Sequence, residues 1–136
     1  MKVLPKAFLR EHNMENDMEN IIPLNHKRSF SLAQAQDILP VVYRVTDSAQ
    51  KEVKHLMNRM EAIKNVSGQR ASEVESEINE IVERWRSKMQ RLGASPKGLW
   101  LADFDNGTGY YCWKFPETEI SFWHGYNDGY SGRMPV

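Results

Sequence analysis

Apolar positions in the first two thirds of the chain recur at helical spacing. Two stripes with steps of four and three residues are present, strictly alternating in the first: Val42, Thr46, Ala49, Val53, Leu56, Met60 and Ile63, and then Ala71, Val74, Ile78, Ile81, Trp85, Met89 and Leu92. A seven-residue period of this kind is typical of helices that pack along a coiled-coil-like seam. The short break "NVSGQ" at residues 65–69 predicts that the two helices fold back on each other as an antiparallel hairpin.

The start of the first stripe carries its own helix signals. In "FSLAQAQDILP", Ser31 is followed three residues later by Gln34, which is the pattern of a capping box. Pro40 is unsuited to the interior of a helix, but it suits the first turn of a new one. We therefore expect a short helix, a kink at Pro40, and a long helix over residues 40–65.

The period of the pattern changes after Gly98. The stretch "GLWLADFDNGTGYYCWKFPETEISFWHG" is rich in aromatic residues and contains two turn signals, Asn106-Gly107 and "PETE". It predicts a three-stranded antiparallel meander with strands over residues 99–104, 110–115 and 120–124. The fold class that the pattern predicts is α+β, with a helical hairpin packed on a C-terminal three-stranded sheet.

The two turns also predict a register, which decides which side chains share a face of the sheet. A two-residue turn at Asn106-Gly107 pairs Asp105 with Thr108, and the second turn is closed by Phe115 and Ile120. Alternate residues then form one apolar face, which we expect to pack on the helices, and one mixed face.

On the mixed face, this register aligns Leu101, Cys112 and Trp123 across all three strands. An apolar line on an open face is typical of a partner surface or a dimer seam. The alternative is that a helix, the N-terminal segment or residues 125–136 cover it. The sequence leaves both interpretations open.

His124 falls on the apolar face in this register, beside Tyr111 at the rim of the core. One interpretation is a structural imidazole that bonds Tyr111, a backbone carbonyl or Asp128. The other is a general base or a lone ligand in a cleft that also contains Arg133. The candidate ligand-binding residues are therefore His124, Tyr111, Asp128 and Arg133.

The same register places Cys112 and His124 on opposite faces of the sheet. It therefore predicts neither a Cys–His nucleophilic pair nor a zinc site, and no C-x-x-C or H-x-x-x-H spacing favours a metal elsewhere. We expect no catalytic set, no metal and no cofactor.

Composition narrows the class of protein. Lys plus Arg and Asp plus Glu both number 18, and this balance disfavours a dedicated nucleic-acid binder. Contact with a single-stranded nucleic acid through the Gly, Tyr and Arg residues near the C-terminus is kept as an alternative.

The cysteine count and the hydropathy bear on the location of the protein. One cysteine allows no internal disulfide, and no apolar run is long enough for a membrane span, so we expect a soluble cytoplasmic protein.

Residues 1–28 differ from the rest of the chain, because they are rich in Asn, Glu and Met and show no sustained period. We interpret them as a mobile extension of a single α+β domain over residues 29–136. The alternative is a docking peptide anchored by Ile21, Ile22 and Leu24.

Several motifs together resemble a known family. "FSLAQAQDILPVV", "GLWLADFD", Cys112-Trp113, Trp123-His124 and the Gly132-Arg133 ending are similar, in order and spacing, to the uncharacterised bacterial family known as domain of unknown function 2203. The resemblance covers roughly residues 29–136; Pro116 stands where that family usually has Gly, and Tyr130 where it usually has Phe. It implies an architecture but no activity.

We therefore expect a non-enzymatic interaction or assembly module that forms a homodimer. The apolar helix positions left outside a two-helix seam are Val41, Val45, Met57, Ile81 or Val82, and Met89. A second copy of the chain can bury such a set. The main alternative is a small enzyme or ligand-binding domain with a cleft at His124 and Arg133.

Overall fold

A computed structural model describes residues 29–136, and the predictions for residues 1–28 lie outside the described residues. Two helices, α1 (Leu32–Ile63) and α2 (Gly68–Arg91), precede an antiparallel sheet. Its strands are β1 (Ser95–Gly98), β2 (Leu101–Asp105), β3 (Gly109–Lys114), β4 (Phe122–Gly125) and β5 (Met134–Pro135), in that spatial order. The predicted α+β class is confirmed, but the sheet has five strands instead of three.

Helix α1 begins as predicted and then continues further than predicted. The Ser31 hydroxyl accepts a hydrogen bond from the Gln34 amide, and the Gln34 side chain accepts one from the Ser31 amide. The expected break at Pro40 is wrong, since one helix runs through it. Buried residues on both sides of the proline, Leu39 and Val42, hold the helix against the core, and this packing outweighs the lost hydrogen bond.

The two helices pack against each other along the predicted stripes. Val42, Thr46, Ala49 and Val53 of α1 are buried, as are Val74, Ile81, Trp85 and Met89 of α2. The polar atom of Thr46 is satisfied inside this seam, because the Trp85 indole Nε1 donates to its hydroxyl at 2.7 Å.

Both outer strands of the sheet were missed by the sequence prediction. Strand β1 contains Pro96, and β5 is a two-residue strand that contains Pro135. Proline lacks the N–H that a central strand needs and is tolerated at sheet edges, so neither segment has the pattern of a strand.

The turn between β2 and β3 is longer than predicted. The Asn106 side-chain oxygen accepts from the amides of Thr108 and Gly109, and the Asn106 amide donates to the Gly109 carbonyl. Asp105 therefore pairs with Tyr110 instead of Thr108. This shift of two residues leaves the side chains of β2 and β3 on their predicted faces.

The register of β4 differs from the prediction by one residue, and this difference has a larger effect than the two-residue shift between β2 and β3. His124 pairs with Tyr110, and Cys112 pairs with Phe122. Before β4, the backbone of Ile120 bonds to the side-chain amide of Gln36 on α1 instead of a strand partner, at 2.9 and 3.2 Å. A shift of one residue moves every side chain of β4 to the opposite face.

One face of the sheet packs on the helices. Ala102, Phe104 and Trp113 on this face are fully buried in the same core as Val42, Trp85 and Met89. We call the opposite face, which carries Asp103, Cys112 and His124, the outer face.

Half of the apolar set expected in a homodimer interface lies inside this core, and Val41 and Val45 are only partly buried. Ile81, Val82 and Met89 are buried within the single chain, whereas Met57 is 52% exposed. Burial within one chain therefore accounts for part of the apolar surface that motivated the dimer, which stays a prediction. No helix among residues 29–136 is long and apolar enough to cross a membrane.

Candidate functional site

Three side chains of different chemistry meet on the outer face of the sheet. Asp103 on β2 lies directly opposite Cys112 on β3, and His124 on β4 is diagonal to Cys112. One ligand atom from each lies within 4.8 Å of the other two. All three residues are buried, with exposed fractions of 2%, 0% and 3%. The prediction that Cys112 and His124 point to opposite faces is wrong, because it rested on the β4 register.

The imidazole of His124 is held at both nitrogens. Nδ1 lies 2.9 Å from the Gly125 carbonyl oxygen, which can only accept, so Nδ1 carries a proton. Nε2 lies 3.0 Å from Oδ2 of Asp103 and shares one proton with it. The pair is either imidazolium with carboxylate or imidazole with carboxylic acid, and both forms contain the same number of protons.

The Asp103 carboxyl group has unused acceptor capacity. Its Oδ1 atom is buried and accepts no hydrogen bond from the described residues. Burial raises the pKa of Asp103 above its usual value, although His124, the Cys112 thiol and Lys97 each act in the opposite direction. A buried carboxyl oxygen without a protein donor is unusual in a folded protein, and this atom can accept from water or bind a further group.

Cys112 is a protonated thiol in this environment. Burial, and then the negative charge of Asp103, raise its pKa to about 12. A reactive cysteine needs a thiolate, and a Cys–His pair needs a ring nitrogen directed at the sulfur. Both nitrogens of His124 are bonded elsewhere, so the cluster is not arranged for nucleophilic catalysis.

Aromatic and cationic side chains surround the cluster on the β1 side. The Tyr110 ring packs on the His124 ring at 5.6 Å, and Lys97 lies over Tyr110 at 5.0 Å. Tyr126 packs edge-on against Tyr110, and its hydroxyl donates a hydrogen bond of 2.7 Å to Oδ1 of Asp105. His124 is therefore closed off from solvent on this side.

Arg133 covers the cluster on the β5 side. Its guanidinium donates two hydrogen bonds to the carboxylate of Glu117, at 3.2 and 2.6 Å, and stacks on Phe122 and Tyr130 at 4.1 and 4.3 Å. It also interacts with the Cys112 thiol, whose pKa it acts to lower. Arg133 thus connects the turn after β3, strand β4 and the end of the chain.

The four candidate ligand-binding residues do not form one cleft. His124 is buried instead of lying at a rim. Tyr111 is on the face that packs on the helices, where it pairs with Trp123 of the neighbouring strand. Arg133 pairs with Glu117 and not with the exposed Asp128. Of the residues that suggested binding of a single-stranded nucleic acid, Arg133 is engaged by Glu117, whereas Tyr126 and Tyr130 are 48% and 41% exposed.

The predicted partner surface does not form either. Cys112 is fully buried, and Trp123 lies on the opposite face of the sheet from Cys112. Leu101 pairs with Lys114 at one end of β2 and is partly exposed. The prediction that Trp123 and His124 point to opposite sides of the sheet is confirmed, but each lies on the side that was expected for the other.

Sequence reasoning missed Asp103, Tyr110 and Glu117. Asp103 had a visible signal, since it is a charged residue in the middle of the apolar segment "LWLADF". A buried carboxylate needs a partner, and such a residue predicts one. Glu117 had no comparable signal, because an acidic residue in a turn is common.

The fold and the site define a small α+β domain with a buried Asp–Cys–His cluster. A family model described as "Uncharacterized conserved protein (DUF2203)" matches residues 28–136. The chain belongs to this family, as the sequence motifs indicated. Comparison with curated proteins and with solved structures found no match.

Proposed function

We propose that this domain binds a divalent transition-metal ion, and Zn²⁺ in particular, through Asp103, Cys112 and His124. The observation that carries the proposal is the convergence of a carboxylate oxygen, a sulfur and an imidazole nitrogen within 4.8 Å. Zn²⁺ accepts all three ligand types in tetrahedral sites, whereas Mg²⁺ and Ca²⁺ prefer oxygen ligands alone.

One of the three ligand separations is close to the geometry that such an ion requires, and the sulfur lies within 4.8 Å of the other two atoms. Tetrahedral Zn²⁺ with these ligands has ligand–ligand separations of about 3.3–3.6 Å. The Nε2–Oδ2 distance of His124 and Asp103 is 3.0 Å. The ion would take the place of the proton between these two atoms and of the thiol proton of Cys112.

The surroundings supply the support that metal ligands need. A ligating histidine usually donates its second N–H to a carbonyl or a carboxylate, which fixes the orientation of the ring. His124 does this through Nδ1 and the Gly125 carbonyl. Oδ1 of Asp103 remains available as an additional ligand oxygen.

Burial of all three residues favours a structural or regulatory role over catalysis. A catalytic metal keeps one coordination position open to substrate, whereas the ligands here are at most 3% exposed. An ion at this position would tie β2, β3 and β4 together. The proposal is therefore a non-enzymatic, metal-binding domain.

The experiment is a titration of the metal-stripped full-length protein with Co²⁺, which reports sulfur coordination by a ligand-to-metal charge-transfer absorption band. We expect one equivalent to saturate the band. The variants His124→Ala and Cys112→Ala are expected to lose it, and Asp103→Asn to bind about 10- to 100-fold more weakly.

Two matched controls use residues of the same type outside the cluster. His55→Ala removes an exposed histidine of α1, and Asp128→Asn removes an exposed carboxylate; both should titrate like the wild type. Absence of the band in the wild type, or its persistence in His124→Ala, would show that the proposal is wrong.

A second candidate is the interaction or assembly module that the sequence predicts. It is favoured by apolar side chains near the end of the sheet, where Tyr130, Met134 and Val136 are 41%, 45% and 56% exposed. Sedimentation equilibrium of the wild type and of Met134→Glu tests it. We expect association that the charged substitution weakens, and a strict monomer at high concentration would contradict it.

A further inference from the structure

Because the proposed ligands are buried, an ion can reach them only if part of their cover moves. The face of the sheet that packs on the helices is closed by fully buried Phe104 and Trp113. On the β1 side the cover comes from Tyr110 and Lys97, which belong to the sheet itself. The remaining cover is the end of the chain after β4.

The segment that carries Arg133 and β5 is the least firmly held part of this cover. Strand β5 has two residues, both exposed, and beyond it the Val136 amide donates one hydrogen bond to Ser121. Segments with few buried contacts and exposed hydrogen bonds open at the lowest free energy. Opening here would uncover Phe122 and the Cys112 side of the cluster.

Arg133 makes the contacts that oppose this opening. It precedes β5, and its guanidinium reaches back over Phe122 to the two carboxylate oxygens of Glu117. The Tyr130 ring stacks on the guanidinium, and its hydroxyl accepts a further bond at 3.3 Å. This bidentate pair is largely buried, with exposed side-chain fractions of 13% for Arg133 and 26% for Glu117.

We infer that the Arg133–Glu117 pair is the latch of the metal site, an inference that rests on the proposed function. The ion enters and leaves when this pair separates and residues 130–136 lift from the outer face, while Tyr126 stays bonded to Asp105. The latch residues are not ligands. Their contribution is to set how rarely the site opens, and hence how slowly the ion exchanges.

The rate at which a chelator removes the ion measures this opening. The full-length protein is loaded with Co²⁺, an excess of EDTA is added, and the decay of the charge-transfer band is followed. Loss of a bidentate, stacked ion pair is expected to speed the decay roughly five- to thirtyfold. Glu117→Gln should give a smaller factor than Arg133→Gln, because it breaks the ion pair but leaves Arg133 stacked on Phe122 and Tyr130.

A matched control breaks an ion pair far from the site. Lys64→Gln removes the exposed pair that Lys64 makes with Glu61, at 2.9 Å, at the end of α1. Its decay rate should equal that of the wild type. Arg133→Lys keeps the charge but not the bidentate hydrogen bond, and its decay rate should lie between those of the wild type and Arg133→Gln.

Different results separate the two proposals. If Co²⁺ binds but Arg133→Gln and Glu117→Gln both release it within twofold of the wild-type rate, the latch is wrong and the metal site stands. If the wild type binds no Co²⁺, both proposals fail. Urea unfolding of each loaded variant supplies the remaining test. If a substitution speeds Co²⁺ release by the same factor by which it raises the equilibrium constant for global unfolding, the ion leaves through global unfolding and the latch is wrong.

Discussion

His124 and Asp103 form a buried hydrogen bond of 3.0 Å although their strands are not neighbours. Strand β3 lies between them, so the two side chains reach toward each other across its outer face. The thiol of Cys112, on β3 between them, is the third member of the cluster. A polar cluster inside a small domain persists only if its members satisfy one another or a further ligand.

Metal binding should release protons in a defined number. The ion would displace the Cys112 thiol proton and the proton shared by His124 and Asp103, while the Nδ1 proton of His124 stays on Nδ1, hydrogen-bonded to the Gly125 carbonyl. We expect about two protons per Zn²⁺ at pH 7. Calorimetry in buffers of different ionisation enthalpy measures this number, and release of one proton or none would exclude the three-ligand set.

Alkaline pH should destabilise the metal-free domain. Burial raises the pKa of the Cys112 thiol from 9.0 to about 12, so between these values the folded state holds a proton that the unfolded state has lost. The free energy of unfolding therefore falls as pH rises through this window, by at most about 4 kcal/mol.

Urea unfolding between pH 8 and pH 11 measures this effect. The variant Cys112→Ala, which has no thiol, should lack this part of the pH dependence. Equal slopes for the variant and the wild type would contradict the raised pKa.

Gly109 should be intolerant of any side chain. A Cβ atom at this position would lie 2.5 Å from the His124 carbonyl oxygen and 3.2 Å from the Gly125 Cα. Gly109→Ala must push β4 away from β3, at a cost of about 1–3 kcal/mol, and it should weaken Co²⁺ binding by displacing His124. Gly129→Ala is the matched control, since no atom lies within 4 Å of its added Cβ. Equal stability of the two variants would be inconsistent with this close approach.

The hydrogen bond between the helices should contribute measurably to stability. In Thr46→Val the buried Trp85 N–H loses its acceptor, and we expect a loss of about 1–3 kcal/mol in the free energy of unfolding. In a Trp85→Phe background the same substitution should cost much less, because no donor remains. A double-mutant cycle by urea denaturation tests this, and additive effects would show that the bond contributes nothing.

Removal of the proline from α1 should stabilise the domain. Pro40 is exposed and lacks the N–H that would donate to the Gln36 carbonyl four residues earlier. Pro40→Ala should raise the free energy of unfolding by up to about 3 kcal/mol. The exposed Arg44→Ala substitution in the same helix should change it by a few tenths. A thermal shift no larger than that of Arg44→Ala would count against the prediction.

The helical half of the fold was predictable because its signals are local. The capping box of Ser31 and Gln34 and the two apolar stripes depend on residues three or four positions apart. The faces of β2 and β3 were also correct, since the longer Asn106 turn shifts the register by an even number of residues.

The candidate site was not predictable, because its register depends on a contact distant in sequence. Gln36 binds the backbone of Ile120 from 84 residues away and removes it from the strand ladder. No local pattern contains that information. The resulting shift of one residue exchanges Trp123 for His124 on the outer face, so Cys112 and His124, which the predicted register kept apart, lie in one cluster with Asp103.

The two prolines of the outer strands also limit how this protein can aggregate. Pro96 and Pro135 each leave a gap in the row of amide donors that a sheet edge presents to another chain. A neighbouring molecule therefore finds no continuous backbone template on either side, and growth of the sheet beyond five strands is blocked at both ends. Specific assembly of the domain over residues 29–136 is therefore expected to rely on side chains, and fibril-like stacking through its sheet edges is disfavoured even at high concentration.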